Sequence, residues 1–211
     1  MKDLHELNLQ EYQNIPICRM ADNNNGGLPV FIGKYGASRM DLPLHRHEMM
    51  QINYVSRGRL LHEINHLRHR LVKGDIFVIP PYIPHRILLD GNSDYEVTEL
   101  EFMPEFVLQN LSMAGNTESC ALFFDFYYIE PFLASECNVK PRLTLSVSEQ
   151  MAVELLFVEF EQEYRARCDG YLLAMRAILL KLLVHLSRCF NHAGGGVRLA
   201  VMAYTRNIGC L

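Results

Sequence analysis

The sequence predicts an α+β fold: a β-sandwich or barrel followed by a pair of α-helices. Two observations carry this. Residues 28 to about 104 are short runs rich in Val, Ile, Tyr and Phe, cut by Gly, Pro, Asn and Asp, the texture of closely spaced strands joined by turns. Residues 146–190 instead repeat their apolar side chains with a helical period. Hydrophobic residues make up 49% of the 211-residue chain and charged residues 21%. That balance suits a folded domain with an appendage and excludes a disordered chain.

The strand candidates follow in order. They are "LPVFIGKYG", "MMQINYVSRG", "RLLHEINHL", "DIFVIPPYIPH" and "YEVTELEFMP". Gly58 is expected to end the second of these. "EINHLRH" reads as a hairpin with a two-residue turn at Asn65-His66. The barrel is expected over residues 28–135, preceded by an N-terminal arm over 1–27.

The helices come next. Ser146 and Glu149 have capping-box spacing. Val153, Leu156, Phe157, Phe160 and Tyr164 then share one helical face, and Glu154, Glu159, Glu161 and Glu163 fall mostly elsewhere. Asp169-Gly170 breaks the pattern. The second helix, about 171–190, is apolar nearly all round, so it needs more than one partner. One side covers the barrel or the first helix. The other packs either within the chain or on a second copy; Leu172, Met175, Leu179, Leu182, Leu183 and Leu186 are the candidate dimerisation residues. "NHAGGG" reads as a linker. "VRLAVMAYTRNI" begins like an amphipathic helix, the expected start of a further domain over 191–211.

Several functions are excluded. Net charge is −4 and the pI about 6.1, which gives no general electrostatic reason to bind nucleic acid. There is no phosphate loop, dinucleotide fingerprint or Gly-x-Ser-x-Gly elbow. The N-terminus lacks the apolar core of a secretory signal. Six scattered cysteines without a Cys-x-x-Cys pair predict reduced thiols in a cytoplasmic protein. The apolar stretch 171–186 is too short to span a bilayer and is interrupted by Arg176, Lys181 and His185. Arg57, Arg59, Arg68, Arg70 and Lys73 are expected to form a solvated face.

The chemistry-bearing residues are histidines. Side chains at i, i+2 and i+4 of a strand share a face, which aligns His45, His47, Gln51 and Asn53. Met50, Ile52 and Tyr54 point the other way. His85 follows a proline-stiffened turn at the start of another strand. His-x-His, a fourth residue four positions on, and a distant histidine after a Pro turn resemble the cupin arrangement. There the four side chains meet inside the barrel. The usual glutamate of that pattern is Gln51 here, and a neutral amide is a weaker ligand for a divalent cation than a carboxylate. Three readings stay open: a metal held by His45, His47 and His85 with Gln51 as a weak fourth ligand, a polar pocket for an organic molecule, or side chains that fill the barrel mouth and bind nothing. His62 is expected to reach the same interior or to be a hydrogen-bonded core histidine.

The stretch "HRHEMMQINYVSRGRLLHEINHLRHRLVKGDIFVIPPYIPHRI", with "ELEFMPEFV" and the helix pair downstream, resembles the N-terminal regulatory domain of AraC-type transcription regulators. The resemblance implies a cupin-like barrel (a double-stranded β-helix, or jelly roll) followed by a C-terminal helical pair that makes a homodimer. It implies a small polar effector, often a sugar or related metabolite, and no resident cofactor. Ligand-binding residues would be His45, His47, Gln51, Asn53, His62 and His85. DNA would be contacted only through a C-terminal helix-turn-helix unit, of which residues 197–208 resemble the first helix. The alternative is a metal-dependent cupin enzyme, a dioxygenase or isomerase, using His45, His47 and His85.

Overall fold

The computed structural model describes residues 12–23, 25–36, 43–64, 67–108 and 142–193. The strands are β1 (Ile17–Cys18), β2 (Val30–Gly36), β3 (Arg46–His47), β4 (Met50–Ile64), β5 (Leu67–Val72), β6 (Asp75–Ile79), β7 (His85–Leu89), β8 (Tyr95–Phe102) and β9 (Leu143–Thr144). The helices are α1 (Pro104–Leu108), α2 (Val147–Ala166) and α3 (Tyr171–Ala193). The arrangement is the α+β, cupin-like one expected, a mostly antiparallel β-structure followed by helices.

One path of strands runs β2-β8-β4-β6-β9, and β5 and β7 both pair with β4. The long β4 makes this possible. Its first part pairs with β8 and β6, its second with β5 and β7. The expectation that Gly58 closes a strand is therefore corrected, because β4 runs straight through it. The register shifts between Val55 and Arg57, and Gly58 has φ +72°, so the strand bends instead of ending. A Cβ there would lie 1.8 Å from the Asp94 carbonyl oxygen. Ile64 pairs with Leu67, so the hairpin forms where expected; Asn65 and His66 lie outside the described residues.

Alternation along β4, β6 and β8 gives the two faces different partners. Met50, Ile52, Tyr54, Ile76, Val78, Leu100 and Phe102 form one core with Val153, Leu156, Phe157 and Phe160 of α2 and with α3. The Tyr54 hydroxyl donates to Glu154 Oε1 at 2.7 Å, tying α2 to the sheet. Ser146 caps α2 in both directions, as its spacing with Glu149 predicts. On the other face, Val55, Leu60, Leu71, Phe77, Ile79, Tyr95 and Val97 form a second, separate core inside the barrel.

Most of the candidate dimerisation residues lie in the interior of the chain. Met175, Leu179, Leu182, Leu183 and Leu186 are buried within the chain itself, because α3 joins α2 and the sheet face in one core. Of the six, only Leu172 stays exposed. The exposed apolar stripe is instead on α2: Val147 is 74% exposed, Met151 67%, Leu155 56% and Val158 47%.

Strand β9 was not visible in the sequence. Two residues long, it pairs with β6, and Thr144 Oγ1 donates to the fully buried Asp75 at 2.6 Å. The arm over 1–27 is described from residue 12. The barrel's expected end, 109–135, and the linker and further domain, 194–211, lie outside the described residues.

Candidate functional site

Three backbone contacts assemble the histidines. His45 and His85 form an antiparallel bridge, each N–H donating to the other's carbonyl at 3.1 and 3.0 Å. The Tyr82 N–H, on the Pro turn before β7, donates to the His47 carbonyl at 2.7 Å. β1 lies parallel to β3, with Cys18 opposite His47. The ring centroids of His45 and His47 end up 4.4 and 4.5 Å from that of His85.

Each histidine's tautomer follows from its partner. Nδ1 of His45, His47 and His85 lies 2.9, 3.3 and 3.1 Å from the carbonyls of Pro43, Met49 and Ile83. A carbonyl only accepts, so Nδ1 carries a proton in each, and wherever the ring is neutral Nε2 presents a lone pair. Burial, then the neighbouring His45, pushes His47 from 6.5 down to about 3. Burial also holds His85 well below its ordinary value. Both rings are therefore neutral. Yet Nε2 of His47 and of His85 are only 3.1 Å apart. Two facing lone pairs at that distance call for a positive centre or a donor beside them.

These histidines line a cavity of about 180 Å³. Gln51, expected in the site, is there. It is 4% exposed, and its Nε2 donates to Glu101 Oε1 at 2.5 Å. The other oxygen of Glu101 accepts from Asn23 Nδ2 at 2.6 Å. Asn53 lies one inward-facing position further along β4. It is fully buried, its Oδ1 accepts from the Tyr35 hydroxyl at 3.2 Å, and its Nδ2 has no partner.

His62 is the one site residue whose surroundings differ from the hydrogen-bonded alternative. It is 1% exposed, with its ring 4.7 Å from Phe77 and 5.8 Å from His85. Neither ring nitrogen has a hydrogen-bond partner. Burial, then His69, pushes it from 6.5 down to about 3. It packs behind the cluster, off the cavity wall. A neutral, unpartnered imidazole costs about 1–3 kcal/mol of desolvation.

Sequence reasoning missed the rest of the cavity. Glu99 and Glu101 line it from β8, Tyr35 from β2, and Cys18, Arg19 and Asn23 from the N-terminal segment. The period-two pattern of "YEVTELEF" puts Tyr95, Val97, Glu99 and Glu101 on one face, a signal that could have found both acids. Nothing local marks Cys18 or Asn23. Arg57, Arg59, Arg68 and Arg70, expected on a solvated face, have exposed side chains, and they pair with Asp94, Asp90, Glu63 and Asp90.

Fold and cavity together define a cupin-like ligand-binding barrel. The chain belongs to the AraC-like ligand binding domain family, whose model matches residues 30–156. No curated protein matches the chain. Among solved structures, it is similar to a cupin-like protein from Thermotoga maritima at 20% identity and a TM-score of 0.33, over 39% of this chain and 63% of that one. It is also similar to a cupin protein from Bacteroides fragilis (21% identity, TM-score 0.31, 36% and 64% coverage). A third is a polyketide cyclase from Streptomyces resistomycificus (16%, 0.34, 38% and 60%). The chain thus spans under two thirds of each of these proteins. Among the described residues no helix is long and apolar enough to cross a membrane.

Proposed function

We propose that this chain is the effector-sensing, dimerising part of an AraC-type transcription regulator, with a small polar molecule bound in the barrel cavity. The observation that carries the reading is the interior itself. His47, Gln51 and His85 are buried around a cavity that a purely structural barrel would fill with apolar side chains. Contacts leading out of the cavity support a sensing role. Asn23 binds Glu101, and two residues on, the Asn25 carbonyl accepts from Arg167 at the α2–α3 turn. β8 runs into α1, where the Phe106 carbonyl accepts from Arg176 Nε of α3 at 2.7 Å. An effector that binds two arrangements of these contacts unequally would shift the helices. DNA contact would belong to a helix-turn-helix unit after the helix pair.

Dimerisation is assigned to the α2 stripe. Its spacing is close to symmetric, so an antiparallel second copy sets Val147 against Val158 and Met151 against Leu155. Sedimentation of Met151→Lys should show monomer where the unaltered chain shows dimer. The sensing reading is tested by a thermal-shift screen across classes of metabolite, since a ligand specific for the folded state raises its stability. A hit lost in His47→Ala supports it; hits that persist in that variant count against the cavity.

A second reading is favoured by one observation. His45, His47 and His85 each offer one nitrogen, all within 4.8 Å of one another, and three imidazoles are a donor set that can hold a divalent ion. The Nδ1–carbonyl bonds are the outer contacts that orient metal-bound imidazoles. The three residues fit a divalent ion, which would supply Lewis acidity to a bound molecule. Elemental analysis of the purified chain tests this: stoichiometric metal, lost in His47→Ala, supports it.

A further inference from the structure

The three histidines leave one requirement of a divalent ion unmet. Imidazoles ligate as neutral donors, and a dication inside a barrel needs an anionic partner to offset its lost hydration. The position four residues after His47 carries an amide, Gln51, whose Nε2 donates to Glu101 Oε1 at 2.5 Å. Among the described residues, neither Glu99 nor Glu101 joins the three histidine nitrogens in one metal-sized group. Cys18 lines the same cavity, and a cysteine binds a metal ion as the anionic thiolate.

Strand pairing brings Cys18 there from far along the chain. β1 lies parallel to β3, with Ile17 opposite Arg46 and Cys18 opposite His47. Neighbouring strands lie about 4.8 Å apart, and successive side chains alternate between the two faces. Cys18 therefore shares the cavity face with His47. Ile17 and the buried Arg46 point away from it, and there Arg46 Nε donates to the Ile15 carbonyl at 3.3 Å. The Arg46 N–H donates to the Pro16 carbonyl at 2.9 Å and the Glu48 N–H to the Cys18 carbonyl at 3.3 Å, so the chain is tied to β3 on both sides of Cys18. Cys18 is partly buried and outside any disulfide. Its sulfur stands outside the histidine group, so ligation requires a change of its single side-chain torsion. Met49, 1% exposed, brings a second sulfur-bearing side chain to the same lining.

We propose that Cys18 is the fourth ligand of the histidine site, its thiolate joining His45, His47 and His85 around a thiophilic ion of the zinc class. This rests on the metal reading of the cavity, and names the ion and the side chain that selects it. One thiolate and three imidazoles make a tetrahedral donor set that suits zinc, and the soft sulfur favours zinc or cuprous copper over manganese or magnesium. The thiol proton leaves to solvent as the sulfur–metal bond forms. That bond fastens the N-terminal segment, whose Asn23 reaches Glu101, to the histidine strand.

The test uses the full chain, reduced, treated with chelator, dialysed, and titrated with cobalt(II), zinc(II) and manganese(II) chlorides. Cobalt should bind stoichiometrically, with a near-ultraviolet sulfur-to-cobalt charge-transfer band and the intense visible bands of a tetrahedral ion. Zinc should displace it, and manganese in about tenfold excess should not. Cys18→Ser should lose the near-ultraviolet band and bind zinc about tenfold or more weaker, while the histidines still hold cobalt. A second measurement needs no variant and serves if Cys18→Ser does not fold. Zinc should protect Cys18 of the unaltered chain from alkylation, read by peptide mass, whereas the exposed Cys168 is labelled with or without zinc. Cobalt bound without a sulfur band, a band that Cys18→Ser leaves in place, or Cys18 alkylated as fast with zinc as without it would overturn Cys18 as a ligand and leave the three-histidine site standing. Binding of neither cobalt nor zinc, or binding that His47→Ala leaves unchanged, would overturn it together with the metal reading.

Discussion

The two faces of the β4–β8 pair make opposite use of the same two strands. On the helix side Met50, Ile52, Tyr54, Leu100 and Phe102 are apolar and join α2 and α3 in one core. On the barrel side Gln51, Asn53, Glu99 and Glu101 are polar and just as buried. Burial of apolar surface is the main favourable contribution to folding, whereas buried polar groups cost unless partnered. Stability should therefore reside on one face and recognition on the other. Changes to each face should separate the two properties.

The largest effect belongs to the helix side. Phe157, 4% exposed and stacked on Tyr54, should cost about 3–5 kcal/mol when changed to Ala, measured by urea denaturation. Binding by the fraction that remains folded should be unchanged. A loss of affinity with little loss of stability would break the separation.

Acid should act through the barrel side. His47 and His62 titrate near 3 when folded and near 6.5 when unfolded, so the unfolded chain takes up protons first as pH falls. Stability is full above about pH 6.5 and declines below it, by about 1.4 kcal/mol per pH unit for each such histidine. Denaturation midpoints between pH 7 and 5 measure this, and His62→Leu should flatten the slope. A slope unchanged in that variant would mean His62 is not the buried neutral ring found here.

The same variant sharpens the contrast at neutral pH. Replacing two unpartnered nitrogens by a similar apolar volume should raise stability by about 1–2 kcal/mol, because nothing is left unsatisfied. Ligand affinity should fall if the ring supports His85. A stabilised protein with full affinity would assign His62 to structure alone. Smallest is Ser146→Ala, which removes the α2 cap and should cost about 1 kcal/mol with no effect on the cavity.

What the sequence disclosed followed from local rules. Strand alternation placed Met50, Ile52 and Tyr54 against something apolar and turned Gln51 and Asn53 the other way. The Ser146–Glu149 cap and the Val153–Phe160 face located α2. The histidine spacing brought His45, His47 and His85 together in one cavity. What stayed hidden depends on distance along the chain. Cys18 and Asn23 reach the cavity only because β1 pairs with β3 and Asn23 meets Glu101. The burial of Leu179 and Leu183 could not be chosen over a dimer face, since a helix apolar all round fits both. Gly58 read as an end because a positive-φ glycine marks turns as often as bends, and only the position of Asp94 decides it.

The central claim is that the polar interior of the barrel, not its surface, receives the ligand. Imidazole resonances of the full chain test it most directly, recorded by NMR while the strongest binder from the screen is titrated in. The account predicts that His47 and His85 shift with occupancy while His69, on β5 outside the cavity lining, stays in place. Saturable binding that leaves His47 and His85 unmoved would contradict it.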